Sequence, residues 1–461
     1  MPKPIAEVFD GCEPSLEALV TRSDRLTYAE LDDLCARATG ALAAMGVKKG
    51  DRVAATLPND TEVVAAFHAT MRLGAIWLGI NKALAPPERK YILKDAGASI
   101  YLEDGVELRA AFDDATPREA VDVDPFAPAG IAYTSGTTGY PKGAVHSQHN
   151  LVMPGQMVVE SRGYDATLRK GDCFGLTILN LQILTTLLTA QAGATAIVMD
   201  RIDAAGVAEW IREERVTLFN GPPALLHSLA HDDAISAADL ASLVEVWTGG
   251  ADCPEAIRHA FEDKFGLPIL ATYGLTEAPT IVAMDPADGP HVSGASGVPL
   301  PHLDVQIVDA EICVAPADDR YQPMLGYWNR DSSETLRNGV LHTGDVGFID
   351  DDGYLHVRDR KALLIIRGGA NVYPAEVERV LQEVDGVVAS AVIGVADERL
   401  GERVVALIEE SFDIDEDVLR AHCEANLAKY KVPERFVFVE KFPRNAMNKI
   451  IRKELAAFLE S

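Results

Sequence analysis

Cysteine is sparse in this sequence, and the cysteines do not form closely spaced pairs. Six of them are scattered through 461 residues without a CxxC motif: Cys12, Cys35, Cys173, Cys253, Cys313 and Cys423. A disulfide framework and a cysteine-based zinc site both require close or regular spacing. We therefore exclude both kinds of domain and predict a protein of the reducing cytoplasm.

Positive charge is also in deficit. The chain carries 42 lysines and arginines against 70 aspartates and glutamates, which gives a formal net charge of −28. A surface this acidic repels polyanions and anionic membranes at long range. Nucleic acid is therefore not an expected partner.

Long hydrophobic runs are missing as well. Residues Met1–Gly11 lack the apolar core of a signal peptide, so the sequence gives no indication of export. The one membrane-like stretch, Phe174–Met199, carries no charge but contains Asn180, Gln182, Gln191, two glycines and five threonines. We predict a buried helix and strand there rather than integral membrane association.

Helices and strands alternate along the chain, whose length is enough for two or more domains. Helices are predicted over Leu26–Val53, Val63–Leu78, Gly206–Arg215 and Pro254–Phe265, and strands over Gly130–Tyr133 and Ala194–Val198. This alternation is typical of an α/β protein with layered sheets and covering helices. The polar segment Asp104–Pro128 is expected to be a loose connection. At Arg358–Gly369 a charged cluster precedes an apolar strand and a Gly-Gly turn, which indicates a hinge before a smaller domain.

A glycine- and threonine-rich segment follows the apolar strand Gly130–Tyr133. Its donor-bearing residues are Thr134, Ser135, Gly136, Thr137, Thr138, Gly139 and, three residues further on, Lys142. Glycines let backbone amides approach an anion closely, and hydroxyls and an ammonium add further donors, which suits a triphosphate. A flexible surface loop is the alternative for the six-residue run alone. A Walker loop is disfavoured because Lys142 is followed by Gly143 instead of Ser or Thr.

The segment YTSGTTGYPKG resembles the signature of the AMP-forming adenylate-forming ligases, the acyl-CoA synthetases and their relatives. Further segments that resemble this family extend the likeness from about Leu26 to Leu455. The resemblance implies a large N-terminal AMP-binding domain of layered sheets and helices over residues 1–359, a hinge over 360–363 and a small, mobile α+β lid domain over 364–461. It also implies ATP and CoA as co-substrates and Mg²⁺ as cofactor.

A second pair of segments, Gly249-Gly-Ala251 and Thr272-Tyr-Gly-Leu-Thr-Glu277, would complete the nucleotide site. The resemblance implies that the first segment and Tyr273 hold adenine, that Thr276 contacts the α-phosphate and that Glu277 helps to bind Mg²⁺. An aromatic face suits a purine, and a carboxylate suits a hard cation. The ATP-binding residues implied here are Gly250, Ala251, Thr272, Tyr273 and Gly274. A strand end with a capping threonine and a solvated glutamate is the alternative.

The resemblance assigns nucleotide-binding roles to two charged residues further along the chain and a catalytic role to a third. Asp345, in His342-Thr-Gly-Asp345, would accept the ribose hydroxyls, and Arg360 would donate to ribose or phosphate. Lys449 would bridge the acyl carboxylate and the α-phosphate, because an ammonium offsets the repulsion between these two anions. In isolation the alternatives are favoured: a turn aspartate, a surface arginine and a lysine of a basic terminal helix.

The resemblance also implies where the other substrates bind. Gly368 and Gly369 would line the pantetheine path of CoA. The acyl pocket would include Asn180, Trp247, Gly249 and Ala278, whose mostly apolar or small side chains favour a hydrophobic aliphatic or aromatic acid. His146 and His149 lack companions at metal-site spacing and are assigned structural roles.

The sequence departs from the family pattern at several positions: Asn180 beside the acyl pocket, Asp359, Ala362 and Leu363 at the hinge, and Asn448 before the catalytic lysine. Two alternatives to the CoA ligase stay open, the second of them because of the departures at Asp359, Ala362, Leu363 and Asn448. One is an enzyme that passes the acyl group to an amine or a carrier-protein thiol, and the other is a nucleotide-binding homologue with impaired catalysis. A homodimer is also left open.

Overall fold

The computed structural model of the protein describes residues 4–134, 141–250, 253–287, 289, 291–318, 320–367, 370–397, 399–412, 414–445 and 449–459. The chain divides into two compact units. The large unit contains Met1–Gln306, Cys313–Thr343 and Gly353–Leu355, and the small unit contains Ile307–Ile312, Gly344–Asp352 and His356–Ser461. The predicted α/β fold, with a large N-terminal part and a small C-terminal part, is confirmed.

The α-helices are α1 Tyr28–Ala44, α2 Thr61–Arg72, α3 Pro86–Ala96, α4 Gly105–Asp114, α5 Gln148–Arg162, α6 Leu179–Gln182, α7 Leu188–Ala192, α8 Ala204–Glu214, α9 Pro223–His231, α10 Glu255–Phe265, α11 Pro374–Gln382 and α12 Glu416–Asn426. The strands of the first half are β1 Glu17–Val20, β2 Arg25–Thr27, β3 Arg52–Ala55, β4 Ile76–Gly79, β5 Ile100–Leu102, β6 Pro128–Thr134, β7 Lys142–Ser147, β8 Arg169–Asp172, β9 Thr195–Val198, β10 Leu218–Asn220 and β11 Glu245–Gly249. The strands of the second half are β12 Ile269–Leu275, β13 Thr280–Met284, β14 Val298–Pro299, β15 Leu303–Val308, β16 Glu311–Pro316, β17 Gly326–Tyr327, β18 Leu336–Arg337, β19 Val340–Ile349, β20 Leu355–Arg360, β21 Ile365–Arg367, β22 Ala370–Val372, β23 Val387–Asp397, β24 Gly401–Glu410 and β25 Arg435–Val439.

Two sheets organise the large unit. The first has the order β14-β13-β12-β11-β10-β8-β9-β1-β2. The six strands from β12 to β1 are parallel to one another, whereas β13 and β2 pair antiparallel with the two ends of this run. The second has the order β17-β7-β6-β4-β3-β5. Parallel strands are usually buried on both faces, and all four residues of β9 are buried. In open sheets of this kind, ligands bind beyond the carboxyl ends of the parallel strands.

Local sequence explains where the first helix begins. The Thr27 hydroxyl accepts a hydrogen bond from the Glu30 amide, and the Glu30 carboxylate accepts one from the Thr27 amide at 2.8 Å. This reciprocal capping satisfies amides that have no partner inside the helix. The predicted helix Leu26–Val53 is too long, because α1 ends at Ala44 and Gly46 then takes φ +94°, a conformation that favours glycine.

The charge-free stretch Phe174–Met199 folds as predicted into a buried helical segment and a strand. Helix α6 is followed by a π-helix at Ile183–Leu187, by α7 and then by β9. Nowhere in the described residues does a helix reach the length and apolarity needed to cross a membrane.

The prediction of a loose connection over Asp104–Pro128 is wrong for its first half, which forms α4. The Asp104 carboxylate accepts hydrogen bonds from the amides of Val106 and Glu107 at 2.9 and 3.0 Å. Leu108 and Phe112 are four residues apart, share one helix face and are buried. Because the segment is acidic overall, its composition did not predict this short apolar helix face.

The small unit is built on a sheet in the order β22-β21-β24-β23, with β25 parallel to β24. Helix α11 buries Val377, Val380 and Leu381, a spacing that places all three on one helix face. These residues share a core with Leu419 and Cys423 of α12. The small unit therefore has a hydrophobic core of its own.

Candidate active site

The predicted phosphate-binding segment begins and ends on neighbouring strands of the large unit. Thr134, the last residue of β6, lies opposite Lys142, the first residue of β7, in an antiparallel pair. Both residues are half-buried. The five predicted binding residues between them, Ser135, Gly136, Thr137, Thr138 and Gly139, lie outside the described residues.

Lys142 and Glu277 are connected through a tyrosine. The Tyr327 hydroxyl donates a hydrogen bond to Glu277 Oε1 at 2.9 Å, and the Lys142 ammonium lies 5.2 Å from the centroid of the Tyr327 ring. Glu277 is half-buried. A residue predicted to hold phosphate and one predicted to bind Mg²⁺ are therefore close together in the large unit.

The backbone of Thr276 and Glu277 is fixed by two further contacts. His146 Nε2 donates a hydrogen bond to the Thr276 carbonyl at 2.7 Å, and the Met324 amide donates to the Glu277 carbonyl at 3.2 Å. Burial lowers the pKa of His146 to about 4, so the imidazole is neutral at physiological pH. This contact is consistent with the structural role predicted for His146, which stays a prediction.

The predicted adenine-binding residues lie at the carboxyl ends of β11 and β12. Gly249 is paired with Thr272, whose hydroxyl donates to the Thr248 carbonyl at 3.0 Å. A Cβ on Gly249 would lie 2.2 Å from Thr272 Oγ1, and one on Gly274 would lie 1.5 Å from the Thr280 carbonyl oxygen. These two glycines are required by the close approach of the strands. Gly250 and Tyr273 lie beside them, and Ala251 is outside the described residues.

The small unit brings together three predicted residues from distant parts of the sequence. Asp345 on β19 is buried, and its Oδ1 lies 2.6 Å from Arg360 Nε at the end of β20. Lys449 lies at the surface, but surrounding protein removes part of the hydration of its ammonium and lowers the pKa of Lys449. Arg360 lowers this pKa further, whereas Asp345 opposes the shift. Asp345 and Arg360 thus form an ion pair whose charges also act on the Lys449 ammonium, and these charge types suit a ribose and a phosphate.

The backbone of Lys449 forms two hydrogen bonds with Asn445. Its amide donates to Asn445 Oδ1 at 2.9 Å, and its carbonyl accepts a hydrogen bond from the Asn445 amide at 2.8 Å. These bonds fix the backbone of Lys449, and its side chain is exposed.

Comparison with known proteins decides the family. Residues 10–320 match the model of the AMP-binding enzymes, and residues 376–449 match the model of their C-terminal domain. The chain belongs to the AMP-binding enzyme family. Membership confirms the predicted adenylate-forming ligase superfamily and, with it, the class of AMP-forming acid–thiol ligases.

Relatives of this AMP-binding enzyme cover nearly its whole length. Long-chain-fatty-acid–CoA ligase FadD13 of Mycobacterium tuberculosis is 32% identical, over 96% of this chain and 95% of that protein. Feruloyl-CoA synthase of an Amycolatopsis species is 35% identical, over 93% of each chain. The solved structure of ATP-bound MatB from Rhodopseudomonas palustris has a TM-score of 0.92 at 27% identity, over 100% of this chain and 99% of that one.

The residues predicted for the acyl pocket of this AMP-binding enzyme lie in the large unit and differ in how deeply they are buried. Trp247 is buried, and its Nε1 donates to Glu245 Oε1 at 2.6 Å. Ala278 is buried, and Asn180 is half-buried on α6. With Gly249 they stay a predicted acyl pocket. Gly368 and Gly369, predicted for the CoA path, lie outside the described residues.

Two residues that support the site were not predicted for it. Tyr327 is 50 residues from Glu277 in sequence, and no motif links the two. Asp359, noted from the sequence only as a departure at the hinge, is buried, and its carboxylate accepts hydrogen bonds from the amides of Arg360 and Ala375 at 2.6 and 2.7 Å. Burial raises the pKa of Asp359. The only sequence signal for Asp359 was that it belongs to the charged cluster Arg358–Lys361.

Proposed function

We propose that this protein uses ATP to convert a hydrophobic carboxylic acid, aliphatic or aromatic, into an acyl-adenylate and then transfers the acyl group to CoA. The observation that carries the proposal is the ion pair of Asp345 and Arg360, 2.6 Å apart in the small unit, with Lys449 near enough for both charges to shift its pKa. Their charges match the ribose, phosphate and carboxylate groups that meet during adenylation. Lys142 and Glu277 are proposed to bind the remaining phosphates.

In the first step a carboxylate oxygen of the acid attacks the α-phosphorus of ATP, and pyrophosphate leaves. Two anions must approach each other, so a fixed cation lowers the barrier. Lys449 is proposed to supply this cation, while Asp345 accepts the ribose hydroxyls and Arg360 donates to ribose or phosphate. Thr276 is proposed to donate to the α-phosphate.

The residues present fit Mg²⁺ at Glu277. Its carboxylate offers hard oxygen donors, and Tyr327 fixes the orientation of one of them. When bound, Mg²⁺ neutralises charge on the phosphate oxygens. Thr134 and Lys142 would hold the triphosphate from the neighbouring strands, together with the five residues that follow Thr134 in sequence.

In the second step the CoA thiol attacks the acyl carbonyl carbon, and AMP leaves. We propose that Gly368 and Gly369 line the thiol's path and that residues 360–363 act as the hinge between a domain at 1–359 and a lid at 364–461. Lys449 must withdraw from the carbonyl so that the thiol can reach it. Rotation at a few terminal residues of a strand is a common way to achieve such a change.

The class of acid is inferred from two lines of support. The predicted pocket residues Asn180, Trp247, Gly249 and Ala278 are mostly apolar or small. Two relatives are named for a long-chain fatty acid and for the aromatic ferulic acid, which both have large apolar parts. A cytoplasmic location and a homodimer stay predictions.

The test is pyrophosphate release from ATP and Mg²⁺ across a panel of fatty, cinnamic and benzoic acids, with and without CoA. Acid-dependent release that CoA accelerates, and that Lys449→Ala abolishes, is the expected result. Release that is indifferent to CoA would identify an amine or carrier-thiol acceptor instead. ATP binding without release for any acid would identify a nucleotide-binding homologue and contradict the proposal.

A further inference from the structure

Tyr327 contacts two charged groups that are predicted for the nucleotide site. Its hydroxyl donates to Glu277 Oε1 at 2.9 Å, and its ring lies under the ammonium of Lys142, with 5.2 Å between the nitrogen and the ring centroid. Among the described residues, Lys142 and Glu277 do not form an ion pair with each other. The tyrosine therefore contacts both charges while they stay apart.

The backbone around Tyr327 is firmly held. Strand β17 is antiparallel to β7, with Tyr327 opposite Ala144, only two residues from Lys142. The Trp328 amide donates to the Gly143 carbonyl at 2.7 Å, and the Tyr327 amide donates to Ser332 Oγ at 2.7 Å. Because the strand pair fixes the ring relative to β7, the hydroxyl reaches Glu277 from a rigid element.

We infer that Tyr327 is a positioning residue of the ATP site, which fixes the Glu277 carboxylate for Mg²⁺ and holds the Lys142 ammonium for the phosphates. The inference rests on the proposed function in assigning Mg²⁺ and ATP to this site. The tyrosine itself does not touch a reacting atom.

Three physical effects support this role. A hydrogen bond to one carboxylate oxygen restricts rotation of the carboxylate and keeps its other oxygen directed for a cation. An aromatic face attracts an ammonium without neutralising its charge, so Lys142 remains able to bind phosphate. Because Tyr327 contacts both charges, it also competes with a direct ion pair between Lys142 and Glu277, which would withdraw both groups from the ligand.

The experiment separates the contribution of the Tyr327 hydroxyl from that of its aromatic ring. Tyr327→Phe removes the hydrogen bond to Glu277 and keeps the face under Lys142, whereas Tyr327→Ala removes both. Binding of α,β-methylene-ATP, which cannot release pyrophosphate, is measured by calorimetry with Mg²⁺ and with EDTA. Tyr28→Phe is the control, because it also removes a buried tyrosine hydrogen bond, to the Ala194 carbonyl at 2.6 Å, in a different part of the large unit.

We expect Tyr327→Phe to weaken binding in Mg²⁺ by about 10- to 100-fold, the usual effect of losing a residue that orients a metal ligand. Binding in EDTA should be unchanged for Tyr327→Phe and weakened for Tyr327→Ala. In a double-mutant cycle, Tyr327→Phe should add nothing to Glu277→Gln, because both changes remove one function. The Tyr28→Phe control should bind as the parent does under both conditions.

Equal weakening by Tyr327→Phe with Mg²⁺ and with EDTA, or full additivity with Glu277→Gln, would overturn the inference. Its failure is separable from that of the proposed function, because the binding measurement contains no acid and no CoA. A protein that shows the Mg²⁺-specific defect but releases no pyrophosphate with any acid would retain the role of Tyr327 and lose the ligase assignment. Failure of the parent protein to bind the analogue would overturn both.

Discussion

Acidification should destabilise the large unit through a buried histidine. His68 lies on α2, with ring centroids 4.8 Å from Phe9 and 5.5 Å from Phe67. In the described part of the chain neither ring nitrogen has a hydrogen-bond partner. Burial, and secondarily the charge of Arg72, lowers the pKa of His68 from 6.5 to about 3. The folded protein therefore holds this imidazole neutral.

The sign and size of the effect follow from linkage. Below pH 6.5 the unfolded chain binds a proton that folded His68 does not bind, so stability is complete above this pH and is lost as the pH falls towards 3. Between about pH 7.5 and pH 5 the loss from His68 is about 2 kcal/mol. Burial also lowers the pKa values of His146 and His302 to about 4. Each adds a similar amount, for a total of about 6 kcal/mol against a typical domain stability of about 5–15 kcal/mol.

Urea unfolding at several pH values tests this prediction. Intrinsic fluorescence reports the large unit, because it contains all four tryptophans: Trp77, Trp210, Trp247 and Trp328. In His68→Phe the free energy of unfolding should fall by about 2 kcal/mol less over this pH range than in the parent. His259→Gln, at a side chain that is 72% exposed, is the control. An identical pH dependence in His68→Phe and the parent would refute the reasoning.

Three further changes have expected outcomes. Lys449→Ala should lower the rate of acyl-adenylate formation by about 10²–10³ in a pyrophosphate-release assay, and a loss of less than tenfold would exclude an electrostatic role for its ammonium. Gly274→Ala should destabilise the large unit by about 3 kcal/mol, because its Cβ would lie 1.5 Å from the Thr280 carbonyl oxygen. A variant that unfolds in urea with the stability of the parent would contradict this. Arg452→Leu should destabilise the small unit by about 3–5 kcal/mol, because the Glu378 carboxylate loses an ionic partner at 2.7 Å. Hydrogen exchange measures this loss, and adding Glu378→Leu should restore much of the stability.

Those candidate site residues that lie together in a short sequence motif could be predicted from the sequence. Thr134 and Lys142 occur in one segment because phosphate binding uses backbone amides and side chains of adjacent residues. The helix α4 shows the limit of composition, because an acidic segment can still carry two apolar residues, Leu108 and Phe112, on one face. The hinge at 360–363 and the acyl pocket stay predictions.

The sequence by itself determined the α/β alternation, the family resemblance and the identity of the charged residues, because periodicity and motif chemistry are properties of neighbouring residues. Only the tertiary structure decided which distant residues meet. Strand pairing placed Tyr327 beside Lys142 and Glu277, and the fold of the small unit brought Asp345, Arg360 and Lys449 together. Such contacts depend on strand register and packing between segments far apart in the chain, which no local pattern specifies.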